Sequence, residues 1–213
     1  MVGLLIIALC ARGEIVKRVI GVTGGIASGK SNVCNIIEKM GLFVIDCDKI
    51  SYDLTKKGGP IYKVILEKFG NEYLLDNDEI DRKKLARLIF NNLEAKNLLN
   101  SITHPIIIDD LNKKIEESDE KIIFLEAPLL YETHLDNICD KIICVYLDEK
   151  LQLDRLMMRE GIDEQYALAK IHSQMDLNIK KSLADYVIDT KGTFEETRMQ
   201  VDKVINDILK ECN

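Results

Sequence analysis

The chain has no tryptophan, only three prolines and three histidines, and no C-x-x-C pair among its six cysteines. The histidines, His104, His134 and His172, are scattered. Zinc-ligand spacing is therefore missing. Cys10, Cys34, Cys47, Cys139, Cys144 and Cys212 are expected to stay reduced, several of them packed as small hydrophobes. Positive charge is also short: 29 Lys and Arg against 36 Asp and Glu give a net charge of −7. That argues against a general nucleic-acid surface. Any anion must be held by local groups against an unfavourable overall field. There is no internal repeat, no low-complexity tract and no apolar run long enough to span a bilayer. Val2 to Cys10 is mostly apolar, but it is short and no basic segment precedes it. The fold is expected to begin near Val16, with residues 1–15 a non-functional extension and the protein cytoplasmic. A chain of 213 residues suffices for one sizeable core, or a core with a small appended domain.

Within this ordinary composition one stretch stands out. Gly24-Gly25-Ile26-Ala27-Ser28-Gly29-Lys30-Ser31 fits G-x-x-x-x-G-K-[ST], the phosphate-cradling P-loop. Its glycines let the backbone approach an anion where a Cβ would intrude. Successive N–H groups then point at phosphate oxygens. Lys30 is placed to reach the β- and γ-phosphates, and the Ser31 hydroxyl to help hold Mg²⁺. The context agrees. Val19 to Thr23 reads as a buried strand, and Val33, Ile36, Ile37 and Met40 form one stripe of a helix that Gly41 stops. The loop thus sits ahead of a helix N-terminus, where anions are favoured. The alternative is a glycine-rich turn with no ligand.

Four further runs read as strands: Leu42–Asp46, Ile122–Leu125, Ile142–Leu147 and Tyr186–Ile188. Apolar strands alternating with helices predict a parallel sheet covered on both faces. Residues 49–118 read as almost entirely helical, too long for an ordinary crossover. One helix opens at Pro60, a second carries Leu85, Leu88 and Ile89, and a third follows Pro105. Pro105 biases His104 toward extended geometry, so helix entry or packing is its expected role. A helix from Asp148 to Gly161 and another over Glu164–Met175 follow the fourth strand, and Phe194–Lys210 closes the chain. The domain reading is a nucleotide-binding core (16–48, 119–147 and 176–213), a helical substrate subdomain (49–118) and a helical lid (148–175).

Three other groups carry chemistry. Asp46-Cys47-Asp48 follows the second strand, and open α/β sheets bind ligands at the carboxyl ends of strands. A carboxylate there can accept the proton of an attacking hydroxyl. The plainer alternative is a strand-end Asp followed by a helix cap. Arg155 and Arg159, at i and i+4, share a helix face that can clamp a transferring phosphate. They can instead form a solvated face paired with Asp154 or Glu160. Glu126 ends an apolar strand in the manner of a Walker-B acid, a candidate for water-mediated Mg²⁺ contact, and Ala127 to Glu132 continue onto a loop at the same sheet end.

Together these motifs resemble the dephospho-CoA kinase family over residues 17–210. The resemblance is carried by Gly21 to Ser31, Val44 to Asp48, His104-Pro105, Pro128 to Glu132, Arg155 to Arg159 and Ala184 to Asp189. It implies a P-loop three-layer α/β/α fold with a five-stranded parallel sheet, a helical insert and a lid. It also implies transfer of the γ-phosphate of ATP to the ribose 3′-hydroxyl of dephospho-CoA, with Mg²⁺, giving coenzyme A. By motif, Asp48 is the base, and Lys30, Arg155 and Arg159 act on the phosphates. The nucleotide is held by Gly24, Gly25, Ile26, Ala27, Ser28, Gly29, Lys30, Ser31, Asn32 and Gly192. The acceptor side takes in Asp46, Asp48, His104, Leu129 and Tyr131, and the metal falls to Ser31 and Glu126. Departures are Asn32 for Thr, Cys47 for Ala, Thr190 for Asn in V-I-D-N-x-G, and Glu160 for Asp. No nucleic-acid, membrane or protein partner is implied. Two rivals stand beside it. One is another small-molecule P-loop kinase, for a nucleoside, shikimate or gluconate. The other is a nucleotide switch, which would need a guanine-reading N-K-x-D; none occurs.

Overall fold

A sheet of five short apolar strands frames the molecule, for which a computed structural model describes residues 17–211. Cys10, Cys212 and the expected extension over 1–15 lie outside the described residues. The strands are β1 (Arg18–Gly24), β2 (Phe43–Asp46), β3 (Ile122–Glu126), β4 (Lys141–Tyr146) and β5 (Tyr186–Asp189), in the order β2-β3-β1-β4-β5. All run parallel. Gly21 lies opposite Leu125 of β3 and Ile142 of β4. The inner strands are buried almost throughout and the edge strands are shorter and half-covered. Strands sealed on both faces need continuous apolar runs, which is how β3 and β4 read.

The chain divides into two compact units, one of residues up to 45 together with 119 onward, the other of 46–118. In the first, α1 (Lys30–Lys39) and α9 (Phe194–Glu211) cover the sheet. Val33, Ile37, Val201 and Ile205 are fully buried with Val22, Phe124, Ile143, Val145 and Ile188. Each such side chain contributes about 1.5–3 kcal/mol. A reciprocal cap starts α9: Glu196 N–H donates to Thr193 Oγ1 at 3.2 Å, and Thr193 N–H to Glu196 Oε2 at 2.7 Å. Asp148 caps α6 (Glu149–Glu160), and Gly161 ends it with φ +64°. Then come α7 (Glu164–His172) and α8 (Leu177–Leu183). The expected helix over 164–175 stops three residues early, because Asp176 caps a new short helix by accepting from Asn178 N–H.

The second unit holds α2 (Cys47–Leu54), α3 (Pro60–Phe69), α4 (Arg82–Asn91) and α5 (Leu93–Glu117). Its core is Ile61, Ile65, Ile80 and Leu85. The third helix does not follow Pro105; it begins at Leu93 and runs through the proline. His104 is accordingly helical rather than extended, and enters no helix. An interior proline costs about 3 kcal/mol, since it offers no N–H and crowds the preceding turn. Burial on both sides offsets this. Leu99 before the proline and Ile106 and Ile107 after it pack on the unit's core, and Leu111 is fully buried. Asn92 caps the helix start by accepting from Ala95 N–H at 3.0 Å.

Among the described residues no helix is long and apolar enough to cross a membrane.

Candidate active site

The loop between β1 and α1 is shaped by close approaches that only certain residues tolerate. A Cβ on Gly24 would lie 2.7 Å from Ser28 Oγ and 2.8 Å from the Val145 carbonyl. Gly29, the residue ahead of α1, has φ +88°. Ala27 also sits at positive φ (+58°), a strained conformation for a residue with a Cβ. Ser28 N–H donates to the Gly25 carbonyl at 3.2 Å. The Ser28 carbonyl accepts from Thr190 Oγ1 at 2.6 Å, which braces the loop from the end of β5. The first turn of α1 contains no acid. Its free N–H groups and dipole therefore favour an anion.

Lys30, Ser31 and Glu126 meet at the mouth of this loop. Glu126 ends β3 beside Val22 of β1. Lys30 Nζ donates to Glu126 Oε1, and Ser31 Oγ lies 3.4 Å from the same oxygen. The Lys30 and Glu126 side chains are only 11% and 12% exposed. One turn along α1, burial and then the Glu126 carboxylate push the Cys34 thiol up, so it remains protonated. A carboxylate and a hydroxyl are hard oxygen donors. They suit Mg²⁺, which takes few protein ligands and completes its shell with phosphates and water. Among the described residues no larger His, Cys, Asp or Glu cluster could hold a metal by itself.

Other expected site residues occupy varied surroundings. The Arg155 guanidinium donates to the Thr190 carbonyl at 2.7 Å and lies 3.4 Å from Thr190 Oγ1, so it reaches the loop through Thr190. Arg159 is exposed and pairs with Glu160 at 2.8 Å. Gly192 is exposed beyond β5, as is Leu129 beyond β3. Tyr131 is buried, and desolvation raises its phenol to about 12. In the helical unit, Asp46 ends β2 and caps α2 by accepting from Lys49 N–H at 3.0 Å; Asp48 lies in the first turn of that helix. His104 is mid-helix in α5.

Sequence reasoning missed Thr190 as a brace, and it missed Lys180. Lys180 is wholly buried, yet its ammonium donates to the Pro128 carbonyl at 2.6 Å and pairs with Glu132 Oε1 at 2.8 Å. In a helix this short, where Lys180 is buried while Ile179 and Leu183 are exposed, nothing in the sequence marks the lysine as buried. Lys180→Met should strand the Glu132 carboxylate and lower stability by about 3 kcal/mol. Adding Glu132→Gln should recover part of that loss, with both read from urea midpoints. A midpoint unmoved by Lys180→Met would show that the pair contributes nothing.

Known proteins match most of the chain. The family model for dephospho-CoA kinase matches residues 18–196. The dephospho-CoA kinase of Carboxydothermus hydrogenoformans is 44% identical over 190 residues, covering 88% of this chain and 92% of that protein. That of Bacillus licheniformis is 40% identical over 191 residues, covering 88% and 95%. Among solved structures, dephospho-CoA kinase from Campylobacter jejuni is 32% identical with a TM-score of 0.69, covering 92% of this chain and 98% of that one.

Proposed function

The chain belongs to the dephospho-CoA kinase family, and from that premise we propose that it transfers the γ-phosphoryl group of ATP to the ribose 3′-hydroxyl of dephospho-CoA, forming coenzyme A. The match of the family model to residues 18–196 carries the acceptor, and the convergence of Lys30, Ser31 and Glu126 at the loop that leads into α1 supports phosphoryl transfer. In the proposed arrangement the N–H groups of the loop and of the first turn of α1 hold the nucleotide's phosphates. Lys30 leaves Glu126 to neutralise charge on the β- and γ-phosphoryl oxygens. Mg²⁺ bound with the nucleotide would supply charge neutralisation across those two phosphates. Ser31 Oγ would ligate it directly and Glu126 through water. Asp48 would accept the 3′-hydroxyl proton as that oxygen attacks phosphorus and the bond to the ADP oxygen breaks.

Residues 49–118 are proposed as the acceptor-binding subdomain, with Asp46, Asp48, His104, Leu129 and Tyr131 on the acceptor side. Segment 148–175 is proposed as a lid that excludes water when it closes, with Gly192 and Asn32 on the nucleotide side. Arg159, held among the described residues by the neighbouring Glu160 alone, is then available to reach the transferring group. Arg159→Ala should slow transfer about tenfold to a hundredfold while leaving the melting temperature unchanged. An unchanged rate would make Arg159 a surface residue. The reading describes a cytoplasmic enzyme acting on a small molecule.

The experiment that tests the function is ADP release with Mg-ATP and a panel of acceptors: dephospho-CoA, nucleosides, shikimate and gluconate. Dephospho-CoA should be preferred and should gain the mass of one phosphoryl group. Preference for another acceptor would replace the assignment with that kinase. Guanine-specific binding with no acceptor-dependent turnover would indicate a switch.

A further inference from the structure

The loop's strained turn is fastened from a distance, by a residue at the C-terminal end of the proposed lid segment to which no part in the chemistry was given above. Ile26 N–H donates to the side-chain carbonyl of Gln174 at 3.0 Å, across 148 positions of sequence. Ile26 immediately precedes Ala27, the non-glycine residue held at φ +58°. A conformation of that kind persists only where the surroundings over-determine it. On the C-terminal side of Ala27, Ser28 is tied by its N–H to Gly25 and by its carbonyl to Thr190. On the N-terminal side, Gln174 makes the tie.

Gln174 is itself held in place. Its own N–H donates to the Ile171 carbonyl at the end of α7. The next residue, Met175, donates its N–H to Glu132 Oε1 at 2.9 Å. That oxygen also takes the buried Lys180 ammonium, which donates in turn to the Pro128 carbonyl. Pro128 O accepts from Thr23 Oγ1 at 3.3 Å, and Thr23 is one residue before the loop. The hydrogen bonds therefore close a ring: Thr23, Pro128, Lys180, Glu132, Met175, Gln174, Ile26 and back along the chain. Beside the loop, Gln174 also lines a cavity of about 240 Å³ with Gly25 and Gln152.

We propose that Gln174 is a positioning residue for the phosphate loop, and that the buried Lys180–Glu132 pair positions Gln174. This rests on the reading that residues 24–31 hold the nucleotide's phosphates. Gln174 touches no reacting atom; it sets the backbone geometry that Lys30 and the loop amides need before the nucleotide arrives, which lowers the cost of ordering on binding.

The test uses full-length protein and two variants of similar side-chain length. Gln174→Met removes the acceptor, and Gln174→Glu keeps an oxygen for the Ile26 amide. Backbone hydrogen exchange over residues 24–30 is followed without nucleotide and with Mg-ATP, alongside steady-state kinetics. Gln174→Met should speed exchange at Ile26 about tenfold and raise the KM for ATP about tenfold, the equivalent of one hydrogen bond. The KM for the acceptor should not move, and the melting temperature should fall by only a few degrees, the share of one lost hydrogen bond. Gln174→Glu should restore the slow exchange. Faster exchange with an unchanged KM for ATP, or a raised KM with unchanged exchange, overturns the positioning role. If Mg-ATP fails to protect residues 24–31 in the unmodified protein, the nucleotide reading of the loop itself fails. That outcome is independent of what Gln174→Met does in the absence of nucleotide.

Discussion

Asp48→Asn should bind ATP normally and lose phosphoryl transfer by about 10²–10⁴-fold, the scale of a lost general base. The substitution keeps the size and polarity of the side chain but leaves an amide that cannot take the proton of an attacking hydroxyl. Its position supports the choice of this carboxylate: it follows β2 directly, and open α/β sheets present reactive groups at the carboxyl ends of their strands. Its neighbour supplies the control. Asp46 caps α2, and asparagine caps helices as well as aspartate does, so Asp46→Asn should leave stability unchanged. Single-turnover ADP formation measured beside ATP binding separates chemistry from affinity. Near-normal turnover in Asp48→Asn would remove this residue from the mechanism.

Lys30→Ala should cost about 10³-fold in transfer while weakening nucleotide binding far less, because the ammonium matters most where charge develops. Glu126 shapes this outcome. In the structure the carboxylate holds Lys30, stands near Ser31 and lies beside Cys34. Truncating Lys30 therefore leaves Glu126 with a hydroxyl and a thiol nearby, and the fold should survive. Transfer rate and nucleotide Kd, measured on the same preparation, decide between the readings. An unaffected rate would show that the loop does not present Lys30 to phosphate.

Local chemistry was readable without coordinates wherever it was short-range. The strands announced themselves as apolar runs because both faces of the sheet are sealed, and the observed boundaries of β1, β4 and β5 fall within about a residue of the expected ones. Asp148 and Gly161 bracket α6 as their cap chemistry requires. The start of α5 was missed because a local rule against proline was outweighed by burial of Leu99, Ile106, Ile107 and Leu111. The cap at Asp176 was missed because Asp-Leu-Asn-Ile carries too short an apolar pattern to mark a helix.

By itself the sequence marked the loop and its place between a strand and a helix, since a G-x-x-x-x-G-K-S run in that setting has few physical solutions. It settled the alternation of strands and helices for the same reason. Tertiary structure alone decided what the loop leans on: Glu126 against Lys30, Thr190 against Ser28, Gln174 against Ile26, and a buried Lys180 against Glu132. These contacts join residues up to 162 positions apart. No spacing rule connects such residues. Only the packing of the sheet and its helices brings their polar atoms together and excludes the water that would otherwise satisfy them.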